Sequence, residues 1–172
     1  RVEAIERQLD AALARIAADE RVLEAFSNSP PYWMTVSGCA SGNGGTDNLK
    51  ADYTDDFADY LAEVVLHFRD EWGISFRTLE PMNEPGISWN ANGGQEGCHF
   101  DRPRQAELLR QVRSTLDAKG LGEVLIAAPD EPGIDDTLGS WESYDAATKA
   151  VVDQINTHIY WGSARSQLWA AA

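Results

Sequence analysis

The chain has 172 residues, 43% hydrophobic and 24% charged, the proportions of a folded globular domain with a substantial core. Its 28 acidic against 14 basic side chains give a net charge of −14. Such a surface repels phosphate backbones and anionic lipid headgroups, so neither nucleic acid nor a membrane is an expected partner, whereas a neutral polysaccharide is compatible.

Val2, Ile5, Leu9, Ala12, Leu13 and Ile16 recur at helical spacing and predict an amphipathic helix, so the chain opens inside an element and a native N-terminus further upstream is expected. No apolar run approaches the roughly 20 residues that span a bilayer. Val22 to Phe26 predicts a strand, broken by Asn28-Ser29-Pro30-Pro31. A polar, glycine-containing loop follows from Ser37 to Tyr53. Thr54 is expected to cap a helix with Asp55 and Asp56 in its first turn, an inner stripe of Phe57, Leu61, Val64 and Phe68, and a stop at Gly73.

The short stretch Ile74-Ser75-Phe76-Arg77 leads into Thr78-Leu79-Glu80-Pro81-Met82-Asn83-Glu84-Pro85, placing Asn83 and Glu84 where a buried strand breaks into a loop. A second glycine-rich loop runs through Asn90 to Gly94. Asp101 and Pro103 open a helix whose inner stripe is Ala106, Leu109, Val112 and Leu116, closed by Gly120. Val124 to Ala128 is near-continuously apolar, as a strand buried on both faces requires. A helix around Ser143 to Val151 and a strand from Gln154 to Tyr160 complete the pattern.

Repeated βα units of this kind predict an α/β fold with a parallel sheet and right-handed crossovers. No G-x-G-x-x-G or G-x-x-x-x-G-K-[ST] run follows any strand, which disfavours an open nucleotide-binding sheet. A (β/α)8 TIM barrel usually needs about 250 residues. The four predicted βα units in 172 residues therefore read as a fragment of a single barrel domain spanning residues 1–172.

Pairs of carboxylates flanking a glycosidic bond carry out most glycoside hydrolysis, and barrel enzymes hold catalytic groups at strand C-terminal ends. Glu84, beside an amide and between two prolines, fits a general acid; a capping or salt-bridge role is the alternative. Glu80 lies about 13 Å back along an extended strand, too far to pair with Glu84, and a buried ion pair with Arg77 or another base is expected for it. Asp130 and Glu131 follow the next strand and either reach the cleft or cap the loop.

Trp33, Trp89 and Trp161 fall just past strand ends, where aromatic faces suit sugar rings, although large aromatics also plug barrels. Trp72, Trp141 and Trp169 are expected in packing. Asn28 either contacts sugar or ends its strand. His158 and Tyr160 alternate on one strand and point the same way. His67 is expected on the solvent side of its helix, and His99 beside Cys98 lacks the partners of a metal site. Cys39 and Cys98 lie in loops that should share one face. They are expected either to form a disulfide, which would favour an exported protein, or to be two unrelated small residues.

The run Phe26-Ser27-Asn28-Ser29-Pro30-Pro31-Tyr32-Trp33-Met34-Thr35 resembles the third-strand signature of glycoside hydrolase family 30. With Leu79 to Pro85 and Gln95-Glu96-Gly97-Cys98-His99-Phe100, it is most similar to the endo-β-1,6-galactanase-like branch, over barrel strands three to six. Asn-Glu-Pro alone is shared by related barrel hydrolases; the Ser-Pro-Pro-Tyr-Trp-Met run is the more specific signal. The resemblance implies a retaining hydrolase of β-linked polysaccharide with Glu84 as acid/base and Asn83 on the sugar 2-hydroxyl. It also implies that His158 and Tyr160 line the site and that Trp33 forms a wall for the sugar. The family's nucleophile, a glutamate ending strand seven, is not in this sequence, so the chain alone is expected to be inactive. No cofactor or metal is expected, and secretion to the extracellular space is. Cleavage of another β-glycan (xylan or glucan) and a non-catalytic carbohydrate-binding remnant are the alternatives.

Overall fold

A computed structural model describes residues 22–171; the helix predicted over residues 2–16 lies outside the described residues. Four strands, β1 (Glu24–Phe26), β2 (Thr78–Glu80), β3 (Leu125–Gly133) and β4 (Gln154–Trp161), pair in parallel in chain order. Parallel neighbours require a crossover after each strand. The helices supplying them are α1 (Thr54–Trp72), α2 (Arg102–Ala118), α3 (Ile134–Ser143) with the short α4 (Ala146–Lys149), and α5 (Arg165–Ala171) after β4.

The core forms where α1 and α2 lay their apolar stripes on β2 and β3. Phe57, Ala58, Leu61 and Val65 of α1 meet Leu108, Leu109, Val112 and Leu116 of α2, over Leu79 and Ile126 of the sheet. Val64 and Phe68, expected in that stripe, are only half-buried. Thr54 does not cap α1. Tyr53 holds the cap position, and the Thr54 hydroxyl is buried without a partner. Asp101 does cap α2, its Oδ1 accepting from Arg104 N at 2.9 Å. Gly120 takes a left-handed φ of 69°, with Leu121 N bonded to Leu116 O at 2.8 Å and Gly120 N to Asp117 O at 3.2 Å.

The helix expected around 143–151 is replaced by α3, which starts directly after β3, and by the single turn of α4. Gly139 hides α3 from a propensity reading. The Arg102 guanidinium lies over it: an added Cβ would stand 2.7 Å from Arg102 Nη2, and that exposed side chain would have to shift. Strand β3 likewise runs five residues past its predicted end at Ala128, through Pro129 and Pro132. Trp72 packs edge-on against Phe68, and Trp141 Nε1 donates to Ala171 O at 3.1 Å. Trp169 is 86% exposed on α5, contrary to its expected packing role.

The two cysteine loops meet, since Gly97 N donates to Ala40 O at 2.9 Å and Asn48 N to His99 O at 3.3 Å. Cys39 and Cys98 are nevertheless free thiols, so the disulfide is not formed. Cys39 Sγ lies 3.3 Å from Ser41 Oγ, and burial pushes the Cys98 thiol up to about 12.

Ile126 is fully buried at the centre of the sheet under both helices. Ile126→Ala is expected to cost about 2–5 kcal/mol through lost burial and the cavity left behind. Urea unfolding measures it as a lower midpoint at unchanged slope.

Candidate active site

From Thr78 to Pro85 every residue is buried, although β2 itself ends at Glu80. The chain then turns sharply, and Glu84 sits at φ 45°, a left-handed conformation that side-chain-bearing residues rarely adopt. Its backbone is tied on three sides. Glu84 N donates to Asp130 O at 2.9 Å; Glu84 O accepts from Ile87 N at 3.0 Å and from the buried indole Nε1 of Trp89 at 3.0 Å.

Asp130 has a matching peculiarity at φ 55°. Pro129 pairs with Asn156 and Glu131 with Thr157, so Asp130 is an extra residue in β3, a bulge. The bulge re-aims two adjacent carboxylates. Asp130 turns toward β4 and Glu84. Glu131 turns toward the helices, accepting from Ser140 Oγ at 2.7 Å, Gln105 Nε2 at 3.2 Å and Gly86 N at 2.8 Å. Gly86 must lack a side chain here, because an added Cβ would stand 2.7 Å from Glu131 Oε2.

His158 lies between these groups. Its Nε2 is 3.1 Å from both Asn83 Oδ1 and Asp130 Oδ2, and its Nδ1 is 3.8 Å from Glu84 Oε1. Tyr160, two residues on, places its ring 5.0 Å from the imidazole. Asn83, Glu84, His158 and Tyr160, singled out from the sequence, therefore do come together. Glu84 is only 6% exposed, and its Oε1 has no hydrogen-bond partner among the described residues.

Beneath this group lies a second carboxylate pair that the sequence did not reveal. Asn156 Nδ2 donates to Glu80 Oε2 at 2.8 Å and to Glu24 Oε1 at 3.1 Å; Glu24 Oε2 accepts from Thr78 Oγ1 at 2.6 Å and Gln154 Nε2 at 3.1 Å. The expected ion pair of Glu80 with Arg77 is absent, because the Arg77 guanidinium binds Gln154 instead. Arg77 begins about 10 Å back along the strand, so Glu80 is left with an amide rather than a cation. Burial, then the neighbouring Asp130 charge, pushes the Glu80 carboxyl up to about 9. Burial also raises Asp130, to about 6, against the opposing pull of His158.

The aromatic expectations divide. Trp33, in a 3-10 turn after β1, is 53% exposed and edge-on to Tyr32, beside a shallow cavity of about 280 Å³ that Tyr60 and Glu96 also line. No hydrogen bond or ring contact joins Trp33 or the exposed Asn28 to Glu84 among the described residues. Trp89 is not an open sugar wall. It is 9% exposed, its ring filling the space over Gly97 while its indole supports Glu84. Trp161 is half-exposed, its Nε1 donating to Asp136 Oδ2 at 2.7 Å. His99 Nδ1 sits 3.1 Å from Ile87 O, and no cluster of metal-ligating side chains occurs among the described residues.

A buried carboxyl at a strand end, between an amide and an imidazole, can exchange a proton with a substrate oxygen while the amide holds a neighbouring hydroxyl. The sequence pattern of O-glycosyl hydrolase family 30 matches residues 6–165. The chain belongs to glycoside hydrolase family 30. An endo-β-1,6-galactanase of Hypocrea rufa is 36% identical over 154 residues, covering 88% of this chain and 32% of that protein. An exo-β-1,6-galactobiohydrolase of Bifidobacterium longum is 28% identical, covering 84% of this chain and 12% of that protein. This family 30 chain thus spans a third or less of the curated relatives it matches. A family 30 subfamily 8 xylanase from Clostridium acetobutylicum superposes with a TM-score of 0.68 at 22% identity, over 91% of this chain and 38% of the xylanase. Its barrel fold places the four βα units here as part of a (β/α)8 domain.

The raised Glu80 carboxyl has a consequence for stability. The folded state holds this proton more tightly than the unfolded chain, where a glutamate titrates near about 4.3. The stability it confers is complete below about pH 4 and is lost as pH climbs toward 9. Glu80→Gln, neutral at every pH, is expected to flatten that decline. Thermal unfolding between pH 5 and 8 should show a smaller fall for the variant; parallel curves would exclude the effect.

Proposed function

We propose that this chain forms barrel strands three to six of an exported, retaining hydrolase of β-1,6-linked galactan, with Glu84 as its acid/base. The observation that carries the reading is Glu84 itself, buried at the end of a parallel strand, its backbone fixed and one carboxyl oxygen unpartnered. The 36% identity to an endo-β-1,6-galactanase supports the substrate. Likeness to a xylanase at 22% identity speaks for the fold alone. A polymer too large to cross a membrane fits an exported enzyme.

In the retaining mechanism a second carboxylate, about 5–5.5 Å from the first, attacks the anomeric carbon. In this reading it comes from a seventh strand outside residues 1–172, next to the edge that β4 presents. Glu84 gives its proton to the leaving oxygen, so the glycosidic C–O bond breaks as the glycosyl–enzyme bond forms. Water then attacks that intermediate, giving its proton back to Glu84. Asn83 Oδ1 faces His158 Nε2, leaving its amide nitrogen to donate to the sugar hydroxyl beside the scissile bond. Tyr160 and the exposed Trp33 offer ring faces to the polymer.

In the full-length protein, Glu84→Gln is expected to lower kcat on β-1,6-galactan by about 10²–10⁴-fold, the range general acid catalysis supplies. Reducing-sugar release on β-1,6-galactan, xylan and β-1,6-glucan, measured side by side, checks both acid and substrate. Wild-type rates in the variant remove the acid assignment, and faster cleavage of xylan or glucan removes galactan as the substrate.

A further inference from the structure

We propose that Asp130 is a positioning residue that holds His158 in the tautomer carrying its hydrogen on Nε2, and so presents a lone pair to Glu84. The inference rests on Glu84 being the acid, and its argument is geometric. His158 Nε2 lies 3.1 Å from Asp130 Oδ2 and 3.1 Å from Asn83 Oδ1. Both atoms are acceptors, so the nitrogen between them must donate. A neutral imidazole has one N–H, which leaves Nδ1 as an acceptor.

Nδ1 faces Glu84 Oε1 at 3.8 Å, the oxygen that is buried with no hydrogen-bond partner. A protonated Glu84 can turn its O–H to that lone pair, whereas a carboxylate there meets lone pair with lone pair. When Glu84 carries its proton, that lone pair fixes the direction of its O–H. At 3.8 Å the two atoms are beyond hydrogen-bond length, as catalytic pairs often are before substrate binds. The same N–H occupies Asn83 Oδ1 and thereby orients the amide nitrogen toward substrate. Asp130 and His158 exchange no net proton over the cycle; the proton that moves belongs to Glu84, leaving with the aglycone and returning from water.

The bulge in β3 and the left-handed backbone of Asp130 are what bring its carboxylate to this position. The charged groups facing it are His158 of β4, Glu84 beyond β2, Glu80 of β2 and Glu24 of β1. Among the described residues no lysine or arginine forms an ion pair with it. Its carboxyl, pushed up to about 6, is ionised at pH 7.5 and able to accept.

The test uses the full-length protein labelled with ¹⁵N-histidine, the His158 signals being assigned by difference with His158→Gln. At pH 7.5 the ring ¹⁵N shifts are expected to show a protonated Nε2 and a bare Nδ1. Asp130→Asn is expected to mix the tautomers and to lower kcat on β-1,6-galactan by about 10–10²-fold, part of the general-acid contribution. On a dinitrophenyl galactoside, whose leaving group needs no proton, it should stay within about threefold of wild type. A protonated Nδ1 in the wild-type protein overturns the proposal whether or not the variant folds. Equal losses on both substrates overturn it as well, since they mark a merely structural role. Glu84→Gln measured alongside separates the two readings. Undiminished galactan cleavage there removes the acid itself, whereas its loss with Asp130→Asn unaffected removes only the Asp130 assignment.

Discussion

One backbone hydrogen bond, from Glu84 N–H to Asp130 C=O, joins the only two side-chain-bearing residues with left-handed backbone among those described. Each conformation costs free energy that the surroundings must offset. Trp89 holds the far side of the first turn through Glu84 O, and Glu131 holds it two residues on through Gly86 N. Strain in the turn after β2 and at the bulge in β3 is thus stabilised by the packing of α2 and α3 behind them. Those helices reach the site through Gln105 and Ser140, both bonded to Glu131.

The second constraint is electrostatic. Glu24, Glu80, Glu84 and Asp130 crowd the end of one small sheet, and none is paired with lysine or arginine among the described residues. Amides and hydroxyls of Asn156, Gln154 and Thr78 solvate the lower pair, with His158 alone above. Burial without a cationic partner raises Glu80 and Asp130, which hold protons that solvent-exposed carboxyls release. For chemistry that needs a carboxylic acid still protonated near neutral pH, a cation-free pocket is the appropriate medium.

The sequence made the parallel α/β pattern legible because helical and strand periodicities are local. Asp101, Gly73 and Gly120 mark helix ends through cap chemistry that any neighbourhood would show. The pairing of Asn83 and Glu84 with His158 and Tyr160 was implied by the family resemblance, the strand alternation adding only that the last two point the same way. The bulge at Asp130 could not, since it appears only when β3 and β4 are set in register. Helix α3 was hidden by Gly139, a poor helix former over which a guanidinium from another helix lies. Trp89 and Glu80 were misassigned for a related reason: an indole beyond a strand looks the same in sequence whether it faces a sugar or a main-chain oxygen, and only the fold shows that Arg77 stops short of Glu80.

Trp89 has one further consequence. Residues 90–96 are exposed throughout, yet the stretch is pinned at both roots, Trp89 O to Gly45 N at 3.0 Å and Gly97 N to Ala40 O at 2.9 Å. The tether supporting Glu84 therefore ends before the exposed tip begins. Lengthening, shortening or exchanging that tip perturbs little beneath it. Residues 90–96 thus form a natural splice point, where sequence can be exchanged without disturbing the Trp89 tether below it.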